Sequence, residues 1–143
     1  MYHTDLVSTS WSHADLTTLD YNGIVSQMTL LSDALTSILG YYPQYMRPPY
    51  FATNDFVLQT LGSLGYHVVQ ASIDTLDYEN DSEALIQNAV NNFVAGLDAG
   101  GTIEVSHDVH QWTANTLVQA MIDNVRSRGL TRKDLCCSFT VSI

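Results

Sequence analysis

Basic residues are scarce in this chain. Its 143 residues include five lysines and arginines against fifteen aspartates and glutamates, for a net charge of −10. Arg126, Arg128, Arg132 and Lys133 fall near the C-terminus, so Arg47 is the only basic side chain before them. Nucleic-acid binding rests on neutralising phosphates and is disfavoured by that balance. An acidic surface suits a cationic polymer, but it is also ordinary among soluble proteins and assigns nothing by itself. Cysteine is nearly absent too. Cys136 and Cys137 are neighbours with no third cysteine to pair with, and adjacent cysteines bridge only with strain, so no disulfide framework is expected. No stretch approaches the roughly 18 to 20 continuous apolar residues of a membrane helix. Residues 1–20 show neither the basic start nor the apolar run of a signal peptide, so no export address is expected in the chain as written. Repeats, low-complexity tracts and linkers are missing as well. With 45% apolar residues there is enough for one core, and a single domain over 1–143 is expected, with 130–143 as a divergent C-terminal segment.

What is present is a rhythm of capped helices and short extended runs. Asp20 can cap a helix to about Ile38 with Ile24, Met28, Leu31, Leu35 and Ile38 on one face, closed by Gly40. Asn54 or Thr53 opens a second, carrying Phe56, Leu58, Leu61 and Leu64 and ended by Gly65. His67 to Ile73 reads as a strand. Ser82 can cap a third helix with Leu85, Ala89, Phe93 and Leu97 inward, although Asn80-Asp81-Ser82 also matches a common glycosylation triplet. Thr102 to Ser106 reads as a strand, and Thr113 as the cap of a last helix with Leu117, Met121 and Val125 inward. A late strand over 135–141 would follow a polar insert. Helices alternating with strands predict an α/β fold of parallel units.

Polar residues fall where these extended runs end. Tyr45-Met46 gives way to Arg47-Pro48-Pro49-Tyr50, the run ending at Ile73 gives way to Asp74-Thr75-Leu76-Asp77-Tyr78, and Thr102 to Ser106 gives way to His107-Asp108. In β/α architectures, loops at the C-terminal ends of strands build active sites. Each residue has a plainer reading: His107 as a hydrogen-bonded structural histidine, Arg47 as a turn brace, Asp74 and Asp77 as helix caps. Their joint order at strand ends is hard to explain by caps and turns alone.

These motifs resemble the NodB-homology polysaccharide deacetylases (carbohydrate esterase family four), fungal chitin deacetylases in particular. Arg47-Pro48-Pro49-Tyr50 is similar to the family's Arg-Pro-Pro-Tyr motif. Asp74-Thr75-Leu76-Asp77-Tyr78 is similar to its Asp-x-x-Asp-Trp motif, with tyrosine for tryptophan. Ile103 to Asp108 is similar to the strand that delivers the catalytic histidine, and Trp11 to Leu16 to the second half of a metal-binding His-x-x-x-His motif. The resemblance runs from about Val7 to Gly129. It implies hydrolysis of N-acetyl groups on N-acetylglucosamine polymers, chitin foremost, by a secreted or cell-wall protein. By resemblance a divalent metal, zinc or cobalt, polarises the acetamide carbonyl and activates water. His107 protonates the departing amine, Asp74 orients and charges His107, and Arg47 holds a base aspartate. The Tyr50 backbone N–H helps stabilise the oxyanion. Val105 lines the pocket for the acetyl methyl group, and Tyr78 offers a face to a sugar ring.

The chain also departs from the pattern. The family's Thr-Phe-Asp-Asp-Gly-Pro motif, source of the base and of one metal ligand, is not present. The first histidine of the metal pair is replaced by Thr9, which leaves His13 as the metal-ligand candidate. Catalytic zinc sites use about three protein ligands, so the metal is expected to be weakly held or absent. The fold expected is a partial, distorted (β/α) barrel without its opening strands, prone to self-association through exposed sheet edges. Activity is expected to be impaired. The alternative is a non-catalytic remnant that binds polysaccharide, through Tyr50, Tyr78 and Trp112, or has no present function.

Overall fold

The computed structural model describes residues 7–131 and the backbone of Cys136–Cys137. The chain divides into two compact units, one ending at Gln70 and the other starting at Ala71. The remainder of the 130–143 segment, including most of the late strand expected over 135–141, lies outside the described residues.

In the first unit, β1 (Val7–Ser8), β2 (Tyr45–Met46) and β3 (His67–Val68) form a parallel sheet in that order, with Val7 opposite Tyr45 and Tyr45 opposite His67. The crossovers are α1 (Tyr21–Leu39) and α2 (Asp55–Ser63), the kind of connection that parallel neighbours require. Asp20 caps α1 by accepting from Gly23 N at 2.8 Å, and Asn54 caps α2 by accepting from Val57 N at 2.9 Å. Each bond satisfies an amide that the helix cannot. Gly40 ends α1 in the left-handed region, at φ 82°, where a side chain would be strained.

The core of this unit is Leu16, Ile24, Met28, Met46, Val57, Leu61 and Tyr66. The face expected for α1 is buried over Ile24, Met28 and Leu31, but Ile38 is exposed. In α2 the expected face holds at Leu61, which is buried, and at Leu64, which packs against the core, but Phe56 and Leu58 are exposed and Val57 and Thr60 are buried instead.

In the second unit, β4 (Ile73–Asp74), β5 (Ile103–Val105) and β6 (Cys136–Cys137) form a parallel sheet in that order. The helices are α3 (Ile86–Asp98) and α4 (Val118–Ser127). The core is Ile73, Ile86, Ala89, Val90, Phe93, Leu117 and Met121. Leu85, expected inward, is exposed, and Ile86 takes its place. Gly96 and Gly101 let the end of α3 approach β4 closely. A Cβ at either would meet the Ile73 side chain at 2.7 or 2.5 Å.

The single strand expected over 67–73 is two. Pairing with β2 stops once Val69 N has bonded Met46 O, and pairing with β5 starts at Ser72 N bonded to Ile103 O. Ser72 Oγ accepts from Thr102 N and Ile103 N, both at 2.9 Å, which ties this polar break to the second sheet. Ser82 supplies a backbone carbonyl to Leu85 N and Ile86 N, and α3 begins with no side-chain cap. The glycosylation reading of Asn80 finds no support. Its amide donates to Leu76 O at 2.7 Å and its side-chain oxygen accepts from Asn88. Thr113 is not a cap either: helical structure already starts at Gln111 and passes through a π-helical turn at Thr113–Leu117 before α4. The α/β alternation with parallel strands is as expected, and among the described residues the strands form two open sheets and no closed barrel. No described helix is long and apolar enough to cross a membrane.

Candidate active site

In the first unit, candidate residues gather at the C-terminal ends of β1 and β2. Arg47 directly follows β2, and its backbone N–H donates to Ser8 O at 2.8 Å. Its side chain is buried, with the guanidinium carbon 5.6 Å from the Phe51 ring centroid, a cation–π distance. Pro48 and Pro49 lead into a short 3₁₀ turn in which Tyr50 and Phe51 adopt positive φ, 57° and 56°. Such φ values cost energy for non-glycine residues and are held only where the surroundings dictate them. Tyr50 is exposed, and its ring stands edge-on to His13 with centroids 5.0 Å apart. His13 also has positive φ, 54°. The loop before it is pinned to α1 by Gln27, whose side-chain oxygen accepts from Ser12 N and whose amide donates to Ser12 Oγ. Thus Arg47, Tyr50 and His13 belong to one loop cluster.

In the second unit the centre is Asp77, fully buried at 0% exposure. One carboxylate oxygen is 2.8 Å from His107 Nδ1. The other accepts from His107 N at 2.6 Å and from Thr113 Oγ1 at 2.8 Å. Burial alone would raise the Asp77 pKa, but the bonds from His107 and Thr113 outweigh it and hold the carboxyl below its ordinary value. The hydrogen bond to Asp77 raises the His107 pKa above its ordinary value, against the opposing effect of burial; Asp74 and Glu104 add to the rise. Tyr78 is exposed and stands perpendicular to the His107 ring, with centroids 5.6 Å apart. Val105 is buried on β5, and its carbonyl accepts from Thr75 Oγ1.

One role changes. The carboxylate that orients His107 is Asp77, not Asp74. Asp74 is exposed and its oxygen accepts from Leu76 N at 2.9 Å, bracing the left-handed Leu76 (φ 51°) that turns Asp77 inward. Asp74 contributes to the charge at His107 from a distance. Sequence reading gave Thr113 a helix-capping role only and passed over Asp81 and His110 as site residues. The signal available for the last two was spacing: Asp77 and Asp81 are four apart, His107 and His110 three apart, each set on one loop.

The residues present do not fit the divalent metal that the resemblance implies. No three His, Cys, Asp or Glu side chains among the described residues stand close enough to hold an ion. At the position of the first histidine, Thr9 offers a buried neutral hydroxyl with no hydrogen-bond partner, a poor substitute for imidazole.

Residues 3–69 match a family model described as Polysaccharide deacetylase. A chitin deacetylase of a Pestalotiopsis species is 59% identical over 124 residues, spanning 87% of this chain and 41% of that protein. A probable peptidoglycan-N-acetylglucosamine deacetylase of Arthroderma benhamiae is 50% identical over 126 residues, 87% of this chain and 29% of that protein. Among solved structures, the chitin deacetylase of Colletotrichum lindemuthianum aligns with a TM-score of 0.84 at 34% identity, covering 92% of this chain and 62% of that one. The chain therefore spans less than two thirds of the length of each.

Proposed function

Because the chain belongs to the polysaccharide deacetylase family, we propose that its described residues supply the proton-donating part of an acetamide hydrolysis on N-acetylglucosamine polymers, chitin first among them. The observation that carries this reading is the Asp77–His107 pair, with Nδ1 held at 2.8 Å by a fully buried carboxylate. An amine is a poor leaving group until its nitrogen is protonated. With Nδ1 held by Asp77, His107 presents Nε2, and the same carboxylate raises its pKa above the ordinary value, which favours the imidazolium as proton donor. As the carbon–nitrogen bond of the tetrahedral adduct breaks, Nε2–H passes its proton to the sugar nitrogen, leaving acetate and a free amine. Thr113 and the His107 backbone N–H hold the Asp77 charge in place. Asp74 adds negative charge that favours the imidazolium. Tyr78 offers an exposed ring to a sugar face, and Val105 is assigned to the acetyl methyl group. By the family resemblance, Arg47 is assigned to a carboxylate and the Tyr50 backbone N–H to an oxyanion. In the family a divalent metal activates the water. His13 is the ligand candidate here, and no step is assigned to a metal in this chain. We assign its action to the outside of the cell or to a cell wall, where a polymer of that class is found.

A second reading, a non-catalytic polysaccharide binder, is favoured by Thr9 and by the missing ligand trio among the described residues. Acetate release from chitin oligomers, measured alongside oligomer binding by calorimetry, separates the two. Hydrolysis that falls about 10²- to 10⁴-fold in His107→Ala supports the first. Binding lost in Tyr78→Ala, with no acetate released, supports the second. Neither release nor binding defeats both.

A further inference from the structure

The loop after β5 carries two histidines, and the segment after β4 carries a carboxylate for each. Asp77 takes the backbone N–H of His107 at 2.6 Å and its Nδ1 at 2.8 Å. Asp81 takes the backbone N–H of Trp112 at 2.9 Å and stands 3.2 Å from Nδ1 of His110. Each carboxylate thus takes one imidazole and one backbone N–H from the 107–112 segment, and Asp77 takes Thr113 Oγ1 and Tyr78 N besides. The two imidazoles meet edge to face, with centroids 5.8 Å apart at 82°. On another side of His107 is Tyr78, at 5.6 Å and 88°. A helix cap explains Asp81 on Trp112 N, but it does not call for an imidazole on the other oxygen, nor for that imidazole to lie against His107.

We propose that His110, anchored by Asp81, is a positioning residue for His107: its ring fixes the plane of the His107 imidazole and its charge sets how readily His107 holds a proton. This deepens the reading of His107 as proton donor and rests on it. The groups that bear on His107 within this unit are Asp77 in direct contact, Asp74 and Glu104 at longer range, the Tyr78 ring and His110. Those that bear on His110 are Asp81 and His107, with Asp108 exposed between the two histidines in the chain. Every carboxylate in the set favours protonated His107. A positive charge on His110, ring to ring at 5.8 Å, would oppose it. At this ring separation and partial exposure, the coupling corresponds to about half a pK unit to one unit.

The test is an NMR titration of the imidazole carbon-bound protons in the 143-residue chain and in His110→Phe, His110→Gln and Asp81→Asn. The wild-type His107 curve should be broader than that of a single isolated site, because the two imidazoles influence each other. In His110→Phe, which keeps an edge-on ring without a proton, the His107 midpoint should rise by about half a unit to one unit and the curve should become a single step. In His110→Gln the same rise should come with faster exchange of the Nδ1 proton, since the flanking ring is lost. Asp81→Asn keeps both histidines and should separate their titrations differently from wild type. A His107 midpoint in His110→Phe within about 0.2 units of wild type, or an unaltered curve in Asp81→Asn, overturns the proposal. The titration needs no turnover. A chain that shows the coupling but releases no acetate from chitin oligomers therefore removes the deacetylase reading and supports the coupling. In an active chain, the optimum of acetate release should move to higher pH in His110→Phe.

Discussion

Asp77 stands at the point where fold and chemistry depend on the same atoms. Fully buried, it accepts three hydrogen bonds from two residues of the segment 107–113. Asp77→Asn should therefore lower stability by roughly 2 to 3 kcal/mol, as expected for losing bonds to a buried charge. The pH dependence follows from the two pKa directions. A carboxyl held below its ordinary value of 3.8 adds stability that is lost as pH falls through the folded value. An imidazole held above its ordinary value of 6.5 adds stability that is present below 6.5 and lost as pH rises through the folded value. The pair therefore contributes most between about pH 4 and 6.5, and urea unfolding should show the Asp77→Asn deficit to be larger at pH 5 than at pH 9. An equal deficit at both would mean that His107 adds nothing as a charge. Thr113→Val removes one donor at nearly constant volume and should cost about 1 to 2 kcal/mol, with a lower His107 midpoint only if Asp77 shifts in its site.

Among the elements, the close approach of α3 to β4 sets the entry to Asp74 and Asp77. Gly96 lies inside α3, where alanine would normally stabilise a helix by about 1 kcal/mol. Because a Cβ there would meet Ile73 at 2.7 Å, Gly96→Ala should instead destabilise by about 1 to 3 kcal/mol. Ile73→Ala, which removes both Cγ atoms that the new Cβ would meet, should cost less in the Gly96→Ala background than in the wild type, a coupling that thermal unfolding of the double mutant would expose. Additive losses would place the strain elsewhere. The same element shows why part of the pattern was legible and part was not. Gly40 and Gly65 could be read as helix ends because few residues tolerate a positive φ. The inward faces of α1 and α4 follow an apolar period. The first turn of α2 does not, because Phe56, Val57 and Leu58 are all apolar and only packing into the core decides among them. The two strands inside 67–73 were not separable either, since an extended run shows no partner until the sheets form.

For the whole molecule, both described sheets are three-stranded and parallel, and β1, β3, β4 and β6 have no second strand neighbour among the described residues. Unpaired edges recruit other strands. The isolated chain should therefore sediment as concentration-dependent oligomers, and an ideal monomer at all concentrations would count against exposed edges. Its metal affinity is the companion test. With His13 as the ligand candidate and no described trio, titration with zinc or cobalt should show weak binding that is little changed in His13→Ala. Micromolar one-to-one binding abolished by that variant would mean that further ligands exist.

The order of polar residues at strand ends, the helix caps and the family resemblance were all readable from residue types, because each depends on local geometry or on short motifs. Arg47, Tyr50, His13, Asp74, Tyr78, Val105 and His107 were singled out as candidates that way. Which carboxylate holds His107 was not. Asp74 and Asp77 are both acidic, three residues apart in one motif, and nothing local distinguishes them. The left-handed turn at Leu76, braced by Asp74, carries Asp77 into the interior. There the loop from β5 delivers His107 N, His107 Nδ1 and Thr113 Oγ1 from 30 and 36 residues away. The pairing of His110 with Asp81 arises in the same way, across 29 residues. Contacts at such separations depend on how strands and helices stack, so only the tertiary structure could assign these partners.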